Sequence, residues 1–264
     1  MRNRTNLGTQ ADEYHVASCN NRTAVTNRTV RQQNYSAEIA ELVQSVPVKV
    51  ESQVTIALPL DQETAAISLE QAITSRVSTR TFSAQPLSKG QLAKLLYLAN
   101  GVRKDAQRQD AAGYRRNAPS AGGLGSVEIY CVILNVDGIE PGIYHFDSRQ
   151  HNLSLIKQGN FATWLEGFAM FQTEFSEVAA LLVLTSLVGR LRTKYAIRSY
   201  RLALMDIGHV SQNIYLTATA LGLGACATAG FVDAEVNAAL GLDGLDRCAM
   251  LTVGVGVPAD APPR

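Results

Sequence analysis

Apolar residues recur at helical or strand spacing along most of the chain, but the first 46 residues show neither period. This stretch is rich in Asn, Thr, Arg and Gln, so we interpret residues 1–46 as a polar N-terminal extension with little fixed structure. Apolar residues at even spacing then predict a short extended segment within residues 47–59. Residues 47–264 show no internal repeat and no linker, and we expect a single domain there.

Helical spacing is clearest in three stretches. Apolar residues on one face predict a helix over residues 61–75. Ser88 and Gln91 have the spacing of a capping box, and they predict the start of a second helix that ends at Gly101. The longest periodic stretch predicts one continuous helix over residues 195–221, which a following glycine ends.

Strand-like runs occupy much of the remaining sequence. We predict strands over residues 127–136, 143–146, 153–156, 179–186 and 250–257, with further helices near residues 161–171 and 233–240. Helices and strands mix without the strict alternation of a doubly wound parallel sheet, which favours an α+β fold.

Composition narrows the classes of function. The formal net charge is +1 and 18% of the residues are charged, so the chain lacks the basic character of a protein that binds nucleic acid or anionic membranes. The longest apolar run, residues 178–188, is about half as long as a bilayer crossing requires. The N-terminus has no apolar signal segment, and the four cysteines form no C-x-x-C pair. We therefore expect a cytoplasmic protein without disulfides or a metal site.

Two arginines with hydroxyl side chains between them follow the first predicted helix. Arg76 and Arg80 are four residues apart, and Ser78 lies midway. Guanidinium groups at this spacing can bind a phosphate through charge-assisted hydrogen bonds. Arginines that compensate the dipole at a solvated helix end produce the same pattern. The spacing alone leaves both interpretations open.

Two segments of small residues can approach a planar ligand closely. Residues 117–123 read Asn-Ala-Pro-Ser-Ala-Gly-Gly and precede a predicted strand, while the glycine-containing residues 220–231 follow the longest helix. Glycine and other small residues let the backbone come close to a flat molecule. Each segment is equally compatible with an ordinary turn.

Together, and in this order, the three segments resemble those of nitroreductase-like flavoproteins. The residues that the resemblance assigns to FMN are Arg76, Ser78, Arg80, Pro119, Ser120, Ala121, Ala229 and Gly230. The first three would hold the phosphate and ribityl chain, although Val77 replaces a common second basic residue. The last two would direct backbone amides at flavin N5 and O4, where reduction brings a proton and negative charge.

The resemblance also implies a fold and an assembly. We expect a nitroreductase-like α+β fold with an antiparallel-rich central sheet flanked by helices. Such proteins form homodimers, and each FMN site is built from both chains. The predicted helix over residues 195–221 is apolar enough to suit either the dimer interface or the core of one chain.

A further pattern indicates a branch of this family. Residues 193–213 contain the series K-Y-x-x-R-x-Y-R followed by G-H-x-x-Q-N, which resembles the SagB-type dehydrogenases, the azoline-oxidising branch. Residues 141–147 and residues 12–15 are also similar to that branch. Two details depart from it, since Ala196-Ile197 stands where Gly-Glu is usual and Asp206 where Glu is common.

The branch implies an FMN-dependent dehydrogenase that oxidises peptide thiazolines or oxazolines to thiazoles or oxazoles, after which oxygen reoxidises the flavin. One ring carbon loses a proton and its neighbour a hydride, so a basic group must reach the C–H bond. The catalytic Lys-Tyr pair of the branch falls on Lys194 and Tyr195, which by position alone would be a surface charge beside a half-buried ring. The implied partners are a peptide substrate with azoline rings, a second copy of the chain and a cyclodehydratase.

The remaining polar candidates have structural interpretations. We interpret His209 as a core histidine, and His145 and His151 as exposed residues beside a hairpin turn. Arg198 and Arg201 are expected to bond helix ends or a carboxylate such as that of Asp206.

Two other functions stay open. A nitro or quinone reductase that uses NAD(P)H would share the flavin site, and rapid NADPH oxidation with a quinone but no thiazoline turnover would identify it. A flavin-free scaffold of a biosynthetic complex is the other alternative, and the loss of a basic residue at Val77 favours it slightly. An FMN absorbance band in the purified protein would exclude the scaffold.

Overall fold

The computed structural model describes residues 9–19, 48, 50–60, 67–103, 115–169, 175 and 177–259. Its strands are β1 (Thr55–Ala57), β2 (Val127–Ile133), β3 (Gly142–Asp147), β4 (Asn152–Gln158), β5 (Ala180–Leu187), β6 (Gly224–Thr228) and β7 (Arg247–Gly256). They form one seven-stranded sheet in the order β1-β4-β3-β2-β5-β7-β6. All neighbouring strands in this sheet are antiparallel.

The two central strands explain the longest apolar runs in the sequence. β2 and β5 are buried along their whole length, and their register pairs Ile129 with Leu184. Since both faces of these strands are covered, most side chains on both faces are apolar, and the few polar ones, Glu128, Thr185 and Ser186, are buried among them. The five predicted strand regions all contain strands, which confirms an α+β fold with an antiparallel sheet.

Helices cover both faces of the sheet. They are α1 (Thr9–Ala17), α2 (Leu69–Ser75), α3 (Lys89–Asn100), α4 (Ala162–Trp164), α5 (Val188–Tyr195), α6 (Ser199–Ala220) and α7 (Asp233–Leu240). On one face, Leu95 of α3 and Ile214 of α6 belong to the main core with Leu184. On the other face, Val236 of α7 packs in a second core with Val183. Among the described residues, no helix combines the length and apolar character needed to cross a membrane.

The capping box predicted at the start of α3 is confirmed. The Gln91 amide donates to Ser88 Oγ at 3.0 Å, and the Ser88 amide donates to Gln91 Oε1 at 2.9 Å. These two bonds satisfy amides that have no partner within the helix. The helix ends at Gly101, as predicted, where the amide donates to the Tyr97 carbonyl at 2.7 Å.

The helix predicted over residues 61–75 begins later than expected. Ser68 and Gln71 form a second capping box, so α2 starts at Leu69, while residues 61–66 lie outside the described part of the chain. The apolar side chains of Leu69 and Ile73 are 68% and 54% exposed. The two described residues of the apolar stripe that predicted this helix therefore do not pack into the core of their own chain.

The prediction of one continuous helix over residues 195–221 is wrong at its N-terminal end. The chain forms α5 up to Tyr195, a short 3-10 turn over Ala196–Arg198, and then α6. Ala196 has φ 48° and ψ −132°, a conformation that no helix contains. Alanine is the strongest helix former, so its identity gave no sign of a break.

The N-terminal extension is not wholly without structure. Residues 9–17 form α1, which docks on residues 197–201, whereas residues 1–8 and 20–46 lie outside the described residues. The sequence of α1 has no apolar stripe that could pack as a hydrophobic face. Hydrogen bonds and a ring contact hold this helix in place instead.

Candidate functional site

The segment from Arg76 to Arg80 follows α2 and lies beside the start of β6. Ser78 forms a parallel bridge with Ala225, and the Thr79 amide donates to the Ala225 carbonyl at 3.0 Å. These backbone contacts fix the segment against the sheet edge. The side chains of Ser78 and Arg80 stay exposed on the outer side.

A cavity of about 500 Å³ lies beside this segment. Its polar lining side chains are five hydroxyls and one guanidinium, those of Ser75, Ser78, Thr79, Thr81, Thr219 and Arg80. No carboxylate is among its described lining residues. Hydroxyl donors beside an unopposed cation are the chemistry that binds a phosphate.

Tyr215 of α6 joins this segment to the strand that leads to Ala229. Its hydroxyl accepts a hydrogen bond from the Ala227 amide at 2.7 Å and lies 3.2 Å from Ser78 Oγ. The guanidinium of Arg76 lies 5.4 Å from the centre of the Tyr215 ring, a cation–π contact. Arg76 therefore faces Tyr215 and is not among the residues that line the cavity.

The two predicted backbone donors after β6 differ. The Gly230 amide donates to the hydroxyl of Thr228 at 3.0 Å. Ala229 is exposed, and its amide has no acceptor among the residues that the structure describes. Of the two amides, only that of Ala229 is therefore available to a ligand without rearrangement.

Lys194 and Tyr195 meet the segment of residues 117–123 at Gly122. Gly122 has φ 62°, and a Cβ placed there would contact the Tyr195 hydroxyl and lie 2.8 Å from Lys194 Nζ. Lys194 Nζ also lies 5.5 Å from the centre of the Tyr195 ring. Both side chains are half-buried. Two predicted sites that are more than 70 residues apart in sequence thus form one cluster.

Asp206 of α6 holds the same segment from the helix side. Its carboxylate accepts the Ala121 amide at 3.0 and 3.1 Å and the Ser126 hydroxyl at 2.8 Å. Burial raises the pKa of Asp206, while the bonds from Ser126 and Ala121 and the charge of His209 oppose that rise. The carboxylate thereby holds Ala121 and Gly122 at a fixed distance from α6.

The same segment is also anchored within itself and to β2. Ser120 Oγ accepts the Gly125 amide at 2.9 Å, and Pro119 is exposed. Below them, Arg116 donates to the Val127 carbonyl at 2.9 Å and lies 3.4 Å from a carboxylate oxygen of Glu128. The Ser120 hydroxyl is therefore already committed as an acceptor.

The predictions for the three histidines are wrong. His145 and His151 are 1% and 6% exposed. His145 lies in β3, where both faces are covered, and its Nε2 is 2.9 Å from the Glu128 carboxylate, whereas the His151 ring meets the rings of Tyr97 and Phe146 edge-on. His209, by contrast, is exposed on α6. Of the arginines, Arg198 and Arg201 bond the end of α1, as expected for helix ends, and not Asp206.

Sequence reasoning missed three residues that organise these clusters: Gly122, Asp206 and Tyr215. Asp206 and Tyr215 lie nine residues apart on α6, which corresponds to about 14 Å along the helix axis. One signal was visible in the sequence, since Asp206 is an acidic residue in a largely apolar helical stretch. The partners of Tyr215 are 12 and 137 residues away and leave no local pattern.

Comparisons with known proteins show which family and fold this chain resembles. The model of the Nitroreductase family matches residues 73–257, from α2 to the end of β7. A protein of Methanocaldococcus jannaschii named after the nitroreductases, MJ1384, is 32% identical over 171 residues, which are 65% of this chain and 83% of that protein.

Two further relatives are named as processing proteins. The trifolitoxin-processing protein TfxB of Rhizobium leguminosarum bv. trifolii is 30% identical over 52% of this chain. The microcin B17-processing protein McbC of Escherichia coli is 28% identical over 51% of this chain. The chain spans 38% of TfxB and 51% of McbC.

Solved structures show the same fold. A protein of Anabaena variabilis named after the nitroreductases has a TM-score of 0.66 at 26% identity, covering 80% of this chain and 44% of that one. The Escherichia coli microcin synthetase McbBCD complex, with truncated pro-MccB17 bound, contains a chain with a TM-score of 0.61 at 23% identity. The match to the chain of the complex covers 83% of this chain and 81% of that one, and it shows a shared fold.

Proposed function

Because the chain belongs to the nitroreductase family, we propose that it is an FMN-dependent dehydrogenase that oxidises peptide thiazolines or oxazolines to thiazoles or oxazoles. Members of this family are oxidoreductases that generally bind flavin. The observation that carries the proposal is the meeting of Lys194 and Tyr195 at Gly122, which places a basic group and a phenol on a segment assigned to the flavin pocket. The names of TfxB and McbC as processing proteins support the choice of a peptide substrate.

The residues of the cavity fit the phosphate end of FMN. Arg80 and the hydroxyls of Ser78 and Thr79 line it, and Arg76 adds a second cation beside Tyr215. The exposed amide of Ala229 fits a donor to the flavin ring. Val77 supplies no charge, so Arg80, the cation that lines the cavity, carries most of the attraction for phosphate.

When bound, FMN would supply the two-electron acceptor for the hydride of the substrate. The chain supplies the group that removes the proton from the neighbouring ring carbon. Lys194 Nζ and the Tyr195 hydroxyl both contact the space above Gly122, so one can accept the proton and the other can hold the substrate ring or relay that proton. Both are half-buried, and the proton can leave from them to solvent.

We further propose a homodimer. Five large apolar side chains are between 49% and 68% exposed on α2, on α6 and just after α2: Leu69, Ile73, Val77, Leu204 and Met205. Apolar area of this kind is covered in stable assemblies. A solution mass of one chain with flavin bound would contradict the dimer.

Turnover of a thiazoline peptide by purified variants tests the function. Lys194→Ala and Tyr195→Phe should abolish oxidation and retain the FMN content of the parent protein. Arg192→Ala is the matched control, because Arg192 lies on α5 but forms an exposed ion pair with Asp246 at 2.7 Å. Full turnover by both variants would remove the pair from the mechanism.

A nitro or quinone reductase driven by NAD(P)H is the second candidate. The name of MJ1384, of which this chain covers 83%, favours it. Stopped-flow mixing separates the two functions. Fast NADPH oxidation with a quinone, together with no reaction of thiazoline peptides, would select the reductase.

A further inference from the structure

Helix α1 lies outside the residues that the family model matches, yet it docks on the turn that follows Lys194 and Tyr195. Among the described residues, its hydrogen bonds and ring contact to the rest of the chain reach residues 197–201, which follow the Lys-Tyr pair by two to six positions. An element added to the family domain thus lies against the part of the chain that leads from the proposed catalytic pair into α6.

Two arginines hold the C-terminal end of α1. Arg198 Nη1 donates to the Ser18 carbonyl at 2.9 Å, and Arg201 Nε donates to Ser18 Oγ at 2.6 Å. Arg201 Nη2 donates to the His15 carbonyl at 2.5 Å. The last carbonyls of a helix have no partner inside it and carry partial negative charge, so guanidinium donors stabilise them strongly.

A second set of contacts comes from Tyr14. Its hydroxyl donates to the Ile197 carbonyl at 3.3 Å, and its ring meets the Tyr200 ring edge-on with centres 5.8 Å apart. Ser18, between the two sets, is 1% exposed. The contacts of α1 therefore bury Ser18, and they involve both the backbone and the side chains of residues 197–201.

The turn that α1 engages contains Ala196, whose φ of 48° is rare for a residue with a side chain. Such a conformation persists only where the surrounding contacts determine it. The residue after Ala196 accepts the bond from Tyr14, and the next one binds Ser18. The contacts from α1 are thus placed to hold the turn in its strained form.

We propose that α1 is a clamp that fixes the turn of residues 196–198 and so sets the orientation of Lys194 and Tyr195 over Gly122. Arg198 and Arg201 are then positioning residues. The catalytic consequence rests on the proposed function, whereas the clamp itself does not.

Hydrogen exchange of the full, FMN-loaded chain tests the clamp without any substrate. Arg201→Gln and Ser18→Ala each remove one side of the Arg201–Ser18 bond, and Arg192→Gln removes an exposed arginine from α5 as the matched control. In Arg201→Gln we expect the amides of residues 194–200 to exchange about tenfold faster or more. Ser18→Ala should shift the same amides by a smaller factor, and the control should leave them unchanged.

Measurement of kcat and KM with a thiazoline peptide tests whether Arg201 positions the catalytic pair. Arg201→Gln should lower kcat while KM and FMN content stay at parent values, because the pair is misplaced and the binding sites are intact. If the amides of residues 194–200 exchange at the same rate in both variants as in the control, the clamp is wrong. If the parent protein oxidises no azoline, the proposed function fails, and exchange still decides the clamp. If Arg201→Gln does not fold, Ser18→Ala decides it.

Discussion

The hydroxyl of Tyr215 accepts the amide hydrogen of Ala227 at 2.7 Å. The same hydroxyl lies 3.2 Å from Ser78 Oγ, so one side chain of α6 connects the segment of Arg76 to Arg80 with the strand that leads to Ala229. The cavity beside Ser78 and the exposed residue Ala229 after β6 are thereby held in a fixed relation.

Tyr215→Phe should weaken FMN binding about 5- to 10-fold, since it leaves the Ala227 amide without its partner at a cost of about 1 kcal/mol or slightly more. Titration of FMN fluorescence measures the change. Tyr144→Phe is the matched control, because the Tyr144 hydroxyl donates to the Glu140 carbonyl at 2.7 Å at a distant strand. That control should lower stability and leave FMN affinity unchanged, and equal affinities for all three proteins would contradict the role of Tyr215.

Gly122→Ala should slow azoline oxidation about tenfold or more, because a displaced Lys194 or Tyr195 no longer reaches the substrate. It should also lower the free energy of unfolding by about 1–2 kcal/mol through strain at positive φ. Gly138→Ala separates the two effects, since Gly138 has φ 71° and no atom near its missing Cβ. Equal loss of kcat in both variants would show that contact with the pair is irrelevant.

Ala196→Gly should raise the free energy of unfolding by about 1 kcal/mol, because glycine adopts φ 48° and ψ −132° without steric cost. Ala238→Gly, at an exposed position of α7, should lower it by about 1 kcal/mol. Urea unfolding measures both changes. Loss of stability in Ala196→Gly similar to that in Ala238→Gly would mean that position 196 carries no strain.

Asp206→Asn should change how stability depends on pH. Burial raises the pKa of Asp206 above its ordinary 3.8, so the folded state binds this proton more tightly than the unfolded state. Its contribution is present below pH 3.8 and is lost as the pH rises through the raised pKa. The free energy of unfolding of the parent minus that of Asp206→Asn should therefore fall as the pH rises from about 4.

Asp243→Asn should change the pH dependence of stability in the opposite direction. Amide hydrogen bonds from Arg247 and Leu245 hold the pKa of Asp243 below 3.8, so its contribution is present above pH 3.8 and is lost as the pH falls through the lowered pKa. Unfolding curves between about pH 3 and about pH 7 measure both differences. A flat difference for Asp206→Asn would contradict the raised pKa.

Local sequence signals predicted most of the fold. The capping box of Ser88 and Gln91 marks a helix start because both of its bonds form within four residues. The apolar run of β5 marks a central strand because burial on both faces leaves polar side chains only at Thr185 and Ser186, near its end. The break at Ala196 has no such local signal, since alanine favours helix and the residues that contact the following turn, Tyr14 and Ser18, lie about 180 residues away in sequence.

The candidate site could be predicted only in pieces. Spacing and resemblance identified Arg76, Ser78 and the Lys194-Tyr195 pair, but no local pattern predicts that the pair meets Gly122. The misassigned His145 shows the same limit. Its neighbours in sequence suggest a surface hairpin, and only the pairing of β3 between β2 and β4 buries it beside Glu128.

Anaerobic mixing of the FMN-loaded protein with a thiazoline peptide tests the central claim most directly. The account predicts that the flavin absorbance band bleaches in one turnover as a thiazole forms, and that Tyr195→Phe and Lys194→Ala lose this bleaching with their FMN content intact. An unchanged band in the parent protein, with rapid bleaching by NADPH alone, would contradict the dehydrogenase and leave a reductase in its place.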